Sequence, residues 1–187
     1  MPAALPSEVA AMTEPLACCL HGIERAGIQA GQTVAVVGIG PIGLMLCAAA
    51  RDAGANVTAV GGRPERRDLA AEFGATPGDG KGADVVIEAV GSAEAWHDAL
   101  ELVRPGGTVL FFGGREIAVD TFRLHYEELT LRGAFHHTPR TVRAALAFLA
   151  SGAHSWERLV THRVGLEGVA SLLADPPGDF LKAAVHP

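Results

Sequence analysis

Cysteine is scarce and unpatterned in this 187-residue chain: Cys18, Cys19 and Cys47 form no CxxC pair. Such spacing supplies neither a zinc knuckle nor a dithiol redox motif, and three unpaired thiols fit a reducing compartment. Basic residues are few as well. Fifteen Lys and Arg against 21 Asp and Glu leave a net charge of −6, and no basic run or aromatic-interleaved basic patch occurs. A nucleic-acid partner is therefore not expected. The opening Met1-Pro-Ala-Ala-Leu-Pro6 has neither a charged n-region nor an apolar h-region, so no secretory leader is read. No apolar run reaches membrane-spanning length. The expectation is a cytoplasmic protein with no membrane partner.

What the chain does have is glycine, 23 residues of it, and 49% hydrophobic content. That is enough for one sizeable core, and short apolar runs joined by tight connections point to an α/β domain. The run Val34 to Val37 reads as a buried parallel strand and breaks directly into Gly38-x-Gly40-x-x-Gly43, followed by an uninterrupted Ala-rich helix from Leu44 to Ala53. Strand, glycine turn and helix in that order form the dinucleotide-binding fingerprint. Gly38 permits the tight turn, Gly40 lets a pyrophosphate approach the backbone, and Gly43 lets helix and strand pack closely. Free N–H groups and the helix dipole then hold the phosphates.

Before the fingerprint, Ser7 starts a helical pattern that Pro15 is expected to interrupt and that resumes over Leu16 to Ala26. His21 there reads as a hydrogen-bonded packing residue rather than a catalyst. A second strand spans Asn56 to Val60, and Pro64 suits the first turn of the next helix, which runs to about Phe73. Nicotinamide-dinucleotide domains usually place an acidic residue after this strand to bind the ribose hydroxyls. Here Gly61, Gly62 and Arg63 occupy that place. With no carboxylate to repel a 2′-phosphate and a guanidinium to bind one, we read the cofactor as NADP(H), preferred over NAD(H); the alternative for Arg63 is a solvated first-turn side chain.

Residues 74–82 are a glycine-rich connection too short for a full strand and helix. A third strand covers Ala83 to Ala89 and ends in Val90-Gly91, with Ser92 as N-cap of a helix reaching Val103. Pro105-Gly-Gly turns the chain into a strand from Thr108 to Phe112 that ends in Gly113-Gly114. Three strands thus end in glycines at one edge of a parallel sheet, where such folds bind ligands. The remainder reads as a turn at Asp120 to His125, a strand Leu129 to Phe135, a helix Pro139 to Ala150, a short strand Val160 to Val164, a helix Leu166 to Leu173 and a last strand Leu181 to Val185. His136 and His137, adjacent on an extended segment, point to opposite faces and are not expected to share one ion. His125 and Glu128 have helical spacing but no third ligand type beside them.

Several stretches together resemble the cofactor domain of zinc-dependent medium-chain alcohol and polyol dehydrogenases: Glu14-Pro-Leu-Ala, Leu20-His21, Val34 to Met45, Asp84 to Gly91, Val103 to Val109 and Leu124 to Leu131. Val60-Gly-Gly-Arg-Pro64 is similar to the Gly-Ser-Arg-Pro stretch of NADP-dependent secondary alcohol dehydrogenases, with Gly62 in place of Ser. The resemblance implies a Rossmann-type doubly wound parallel sheet, single-domain, with the region after the second strand shortened. It implies hydride transfer between an alcohol or polyol carbon and nicotinamide C4, with zinc as Lewis acid. By position, Gly38, Gly40, Pro41, Ile42 and Gly43 would hold the pyrophosphate, and Gly61, Gly62 and Arg63 the adenosine end. Ala89, Val90, Gly91, Phe112 and Gly113 would border the ribose and nicotinamide. Glu14 falls where family members place a carboxylate at the metal, or is simply a helix-start carboxylate.

The departures carry equal weight. The family's Cys and His-Glu zinc ligands belong to a catalytic domain preceding Glu14; no Gly-His-Glu and no four-cysteine lobe occurs here. One Glu cannot hold a catalytic zinc, which takes about three protein ligands, so the zinc site is read as incomplete and no catalytic residue is assigned. Residues 1–27 are read as a helical remnant of the junction with the catalytic domain, and residues 28–187 as the dinucleotide-binding domain. The chain is expected to be a truncated or separately made cofactor portion, inactive until a zinc-bearing domain is supplied, with an alcohol or polyol as substrate and a homo-oligomer formed through an edge strand. A stand-alone dinucleotide-binding or regulatory module is the alternative. A methyltransferase using S-adenosylmethionine is discarded, because its ribose also wants the acid that Gly61 replaces.

Overall fold

Val34 to Val37 are all buried, which is what a strand covered on both faces requires. The period-two alternation divides them: Val34 and Val36 face one apolar cluster, Ala35 and Val37 the other. Around this strand the computed structural model describes residues 5–186; of the expected loop over residues 1–6, the first four lie outside that range. In chain order the elements are α1 (Ser7–Ala10), α2 (Thr13–Ala26), β1 (Thr33–Val37), α3 (Pro41–Asp52), β2 (Asn56–Val60) and α4 (Pro64–Glu72). There follow β3 (Ala75–Pro77), β4 (Ala83–Glu88), α5 (Ala93–Leu102), β5 (Val103–Phe111), α6 (Thr121–Tyr126) and β6 (Thr130–Gly133). Last come α7 (Pro139–Ala150), β7 (Val160–Gly165), α8 (Val169–Ala174) and β8 (Lys182–His186).

Six strands form one parallel sheet in the order β3-β2-β1-β4-β5-β6. The direction in which successive strands are added reverses between β1 and β4, the switch point where doubly wound sheets hold ligands. Leu16 and Ile23 of α2, Leu44 and Leu46 of α3, Leu69 of α4 and Leu149 of α7 cover one face. Ala95, Ala99 and Leu100 of α5 cover the other. The Rossmann-type reading is thereby met.

Several details differ from the sequence expectation. Pro15 does not interrupt α2; it is the helix's third residue, in the first turn, where an absent N–H costs nothing. The shortened region still makes a strand: β3 is three residues long, pairs parallel with β2, and has no helix after it. β5 starts at Val103 and accommodates Pro105-Gly-Gly through a register shift opposite Ala83 and Val85, so regular pairing begins at Thr108 as expected. The turn at Asp120 is a short helix, because the Asp120 carboxylate accepts from the N–H groups of Phe122 and Arg123. The strand expected over Leu129 to Phe135 shrinks to β6, and Phe135 is exposed. The last two strands pair with each other in a separate two-stranded parallel sheet.

Candidate functional site

Strand register places the carboxyl ends of the sheet in one row. Val60, Val37, Glu88, Phe111 and Gly133 are successive partners across β2, β1, β4, β5 and β6. The next residues, Gly61, Gly38, Ala89, Phe112 and Ala134, therefore open onto one edge. All the residues expected from the sequence to hold the cofactor lie along it.

The three fingerprint glycines meet three different constraints. Gly38 has φ 92°, and a Cβ there would strike the Val90 side chain. At Gly43 a Cβ would overlap the carbonyl oxygen of Gly38. Gly40 has nothing within 4 Å of its would-be Cβ, so the backbone there is open on that side. Gly40 is the N-cap of α3, Pro41 is the first helical residue, and no side chain caps this end among the described residues. The N–H groups of Ile42 and Gly43 are left in the first turn, where an anion is favoured. Pro41 and Ile42 also line a cavity under β8 with Met45, Phe180 and Val185, and of the two only Ile42 has a backbone N–H to offer an anion.

At the end of β2, Gly61 and Gly62 both have positive φ, and Ile39 packs where a Gly62 side chain would stand. Arg63 is exposed at the start of α4 and leans toward Gly178. Sequence reasoning missed Arg67, one helical turn on. Its Nε donates to the carbonyls of Gly61 and Gly62 at 3.3 and 3.2 Å, which fixes a second guanidinium at the strand end. The signal was its i+4 spacing from Arg63.

A second missed residue is Glu88. It is fully buried at the end of β4, and its Oε1 accepts from the N–H groups of Val90 and Gly91 at 2.6 and 2.7 Å. Oε2 has no partner among the described residues and faces Gly113, whose backbone lies against Gly91. Glu88 thus shapes the turn over residues 89–91. Phe112 stands in the row, but its ring packs against Gly22 of α2; its backbone is what borders the edge.

Glu14 does not stand alone. The Cys18 thiol donates to Glu14 Oε1 at 3.2 Å, and His137 Nδ1 lies 3.5 Å from the same oxygen and 3.7 Å from Cys18 Sγ. Helical i, i+4 spacing brings the first two together, and the segment beyond β6 delivers the third. His136 has φ 65°, and Thr138 caps α7 through a reciprocal bond with Thr141, so His137 is fixed between a left-handed residue and a helix start. Only one member of the His136–His137 pair joins the group. Burial, and then the Glu14 hydrogen bond, push the Cys18 thiol up to about 11. His21, expected to be hydrogen-bonded, keeps a buried Nδ1 without a partner among the described residues. Its nearest carboxylate oxygen, on Glu24, is 3.8 Å away, beyond hydrogen-bond reach. His125 and Glu128 gather no metal group among the described residues, and no described helix is long and apolar enough to cross a membrane.

Comparison with known proteins gives consistent matches. A family described as zinc-binding dehydrogenase matches residues 76–151. Probable D-xylulose reductase A of Arthroderma otae is 35% identical over 184 residues, covering 86% of this chain and 52% of that protein. A zinc-binding-dehydrogenase-type structure from Sinorhizobium meliloti, bound to NADP, superposes with a TM-score of 0.92 at 34% identity, covering 100% of this chain and 61% of that one. An alcohol dehydrogenase from Thermus sp. gives a TM-score of 0.86 at 31% identity, covering 100% and 62%. The chain spans about half the length of the curated relatives it matches.

Proposed function

The chain belongs to the zinc-dependent medium-chain dehydrogenase family, and on that premise we propose that it binds NADP(H), in preference to NAD(H), for hydride transfer to or from an alcohol or polyol. The observation that carries this reading is the row of strand ends crossed by the Gly38, Gly40 and Gly43 turn. In it the backbone of Gly38, Gly40, Pro41, Ile42 and Gly43 takes the pyrophosphate. Gly61, Gly62 and Arg63, joined by Arg67, take the adenosine end. Ala89, Val90, Gly91, Phe112 and Gly113 border the nicotinamide.

Bound there, the nicotinamide would supply the hydride acceptor or donor for an alcohol or polyol carbon, with the hydroxyl proton exchanged with solvent. In this family zinc supplies the Lewis acidity for that step. We assign none of this chain's residues to the reacting atoms. Residues 28–187 act as the dinucleotide-binding domain and residues 1–27 as its junction with a zinc-bearing half, without which the chain is inactive. The exposed edge of β6 is where a homo-oligomer would form.

The test is the melting shift with NADPH and with NADH. A ligand at 100 times its dissociation constant stabilises by about 2.7 kcal/mol. A larger shift with NADPH is expected; equal shifts would remove the NADP(H) preference, and no shift with either would remove the cleft. Activity appearing only on addition of a zinc-bearing domain would separate this reading from a stand-alone binding module.

A further inference from the structure

We propose that Glu14, Cys18 and His137 form a divalent-metal site made wholly by this chain, with Zn2+ as the ion it fits best. The family's zinc makes a metal expected; the ligand set proposed here adds a helical cysteine and a histidine from the far end of the sheet to the one carboxylate that the sequence pointed to.

Geometry carries the argument. Glu14 Oε1, Cys18 Sγ and His137 Nδ1 form a triangle with edges of 3.2, 3.5 and 3.7 Å. A tetrahedral zinc with bonds of about 2.0–2.3 Å to oxygen, nitrogen and sulfur needs edges of about 3.3–3.6 Å between its ligands. The three donors therefore lie within a few tenths of an ångström of a coordinating arrangement without backbone movement. Thiolate, imidazole and carboxylate together suit zinc rather than magnesium or calcium, which take oxygen sets. The frame is tied on both sides: Arg140 of α7 forms a two-pronged pair with Glu24 of α2, and Arg132 of β6 donates to the carbonyl of Arg25.

Glu14 is exposed while Cys18 and His137 are half-buried, so the fourth position opens to solvent, as in sites that keep a place for water or substrate. The same helix packs against the start of α3, where the Sγ of Cys19 is 3.8 Å from the Ile42 carbonyl. On binding, the Cys18 S–H bond breaks, its proton leaves to solvent, and the sulfur lone pair forms the bond to the metal. No oxidation state changes. The Cys18–Glu14 hydrogen bond is replaced by the shared ion.

The test is a Co2+ titration of the full chain, without affinity tag or nucleotide. One ion per chain is expected, with a near-ultraviolet sulfur-to-cobalt charge-transfer band that Zn2+ abolishes. Cys18→Ser should remove the band, and His137→Ala should weaken binding by at least the roughly 10–100-fold that loss of a supporting partner costs a metal site. A second readout needs no variant: Zn2+ should protect Cys18 from alkylation, followed by mass spectrometry, while the buried Cys19 and Cys47 stay unlabelled with or without it. Absence of the band, its survival in Cys18→Ser, or equal alkylation with and without Zn2+ would overturn the proposal. Because no nucleotide is present, these results stand apart from those of the cofactor test.

Discussion

Gly43 packs so closely on Gly38 that a Cβ at position 43 would overlap the Gly38 carbonyl oxygen, whereas Gly40, between them, faces open space. The close contact is one that folding requires, while on the proposed function the open face of Gly40 admits the pyrophosphate, so substitutions should separate the two. Gly43→Ala should cost at least the roughly 1–3 kcal/mol typical of overpacking, read by urea denaturation. Gly40 has ordinary dihedrals, φ −78° and ψ −173°, so Gly40→Ala should leave stability within about 0.5 kcal/mol while weakening NADPH binding. Retained affinity in Gly40→Ala would mean that the pyrophosphate does not cross this turn.

Arg63 and Arg67 share the end of β2, and among the described residues Arg67 is the one of the two that is anchored, on the Gly61 and Gly62 carbonyls. Each charge-assisted bond to a 2′-phosphate is worth roughly 1.5–3 kcal/mol, or about ten- to a hundredfold in affinity. Arg63→Ala and Arg67→Ala should each lower NADPH affinity by about tenfold or more and leave NADH binding nearly unchanged. Isothermal titration with both cofactors checks this; a parallel loss of both would make the arginines structural.

Glu88 should tolerate Gln better than Ala. Gln keeps an acceptor for the Val90 and Gly91 N–H groups. Ala leaves both without the partner they now share, at up to about 1–3 kcal/mol in all for donors that water reaches only in part. The expected outcome is a clearly lower melting temperature for Glu88→Ala, with a smaller nucleotide-induced shift. Equal stability of the two variants would show that water replaces the carboxylate.

Asp84 ties the starts of β1 and β4: its Oδ2 accepts from the Thr33 N–H and hydroxyl at 2.7 and 2.8 Å, and its Oδ1 from Arg104 at 2.7 Å. The Thr33 backbone bond first, and Arg104 next, hold its pKa below the ordinary value. A carboxylate depressed on folding contributes stability that is full above its unfolded pKa, about 3.9, and is lost as pH falls through the lower folded value. Asp84→Asn should therefore be less stable than the parent by about 1 kcal/mol near neutrality, and the gap should close below about pH 4. A gap constant from pH 7 to pH 3 would assign the effect to geometry rather than charge.

The central strands, the fingerprint and the Ser92 cap were legible because each is a local pattern: Val34 to Val37 is an apolar run, and Ser92 stands three residues before the Ala95 N–H that it accepts. One group that escaped depends on distant pairing. Cys18 and His137 are 119 positions apart, and no periodicity joins them; only the packing of α2 beside β6 and α7 does. Glu88 looked like an ordinary strand position because nothing local says that its carboxylate folds back on the next turn. Pro15 misled because the helix starts two residues before it, at Thr13, rather than after it.

The separate β7–β8 ribbon has a consequence for cooperativity. A parallel pair normally lies inside a sheet covered on both faces, yet here only Val160 of the two strands is buried, and α8 buries no residue. With so little buried, its backbone bonds are expected to open at lower cost than those of β1 and β4, whose residues are mostly buried. Hydrogen exchange would then divide the chain into a fast final segment and a slow six-stranded unit. A melting temperature would report the second of these, and the ribbon would already be loosening below it.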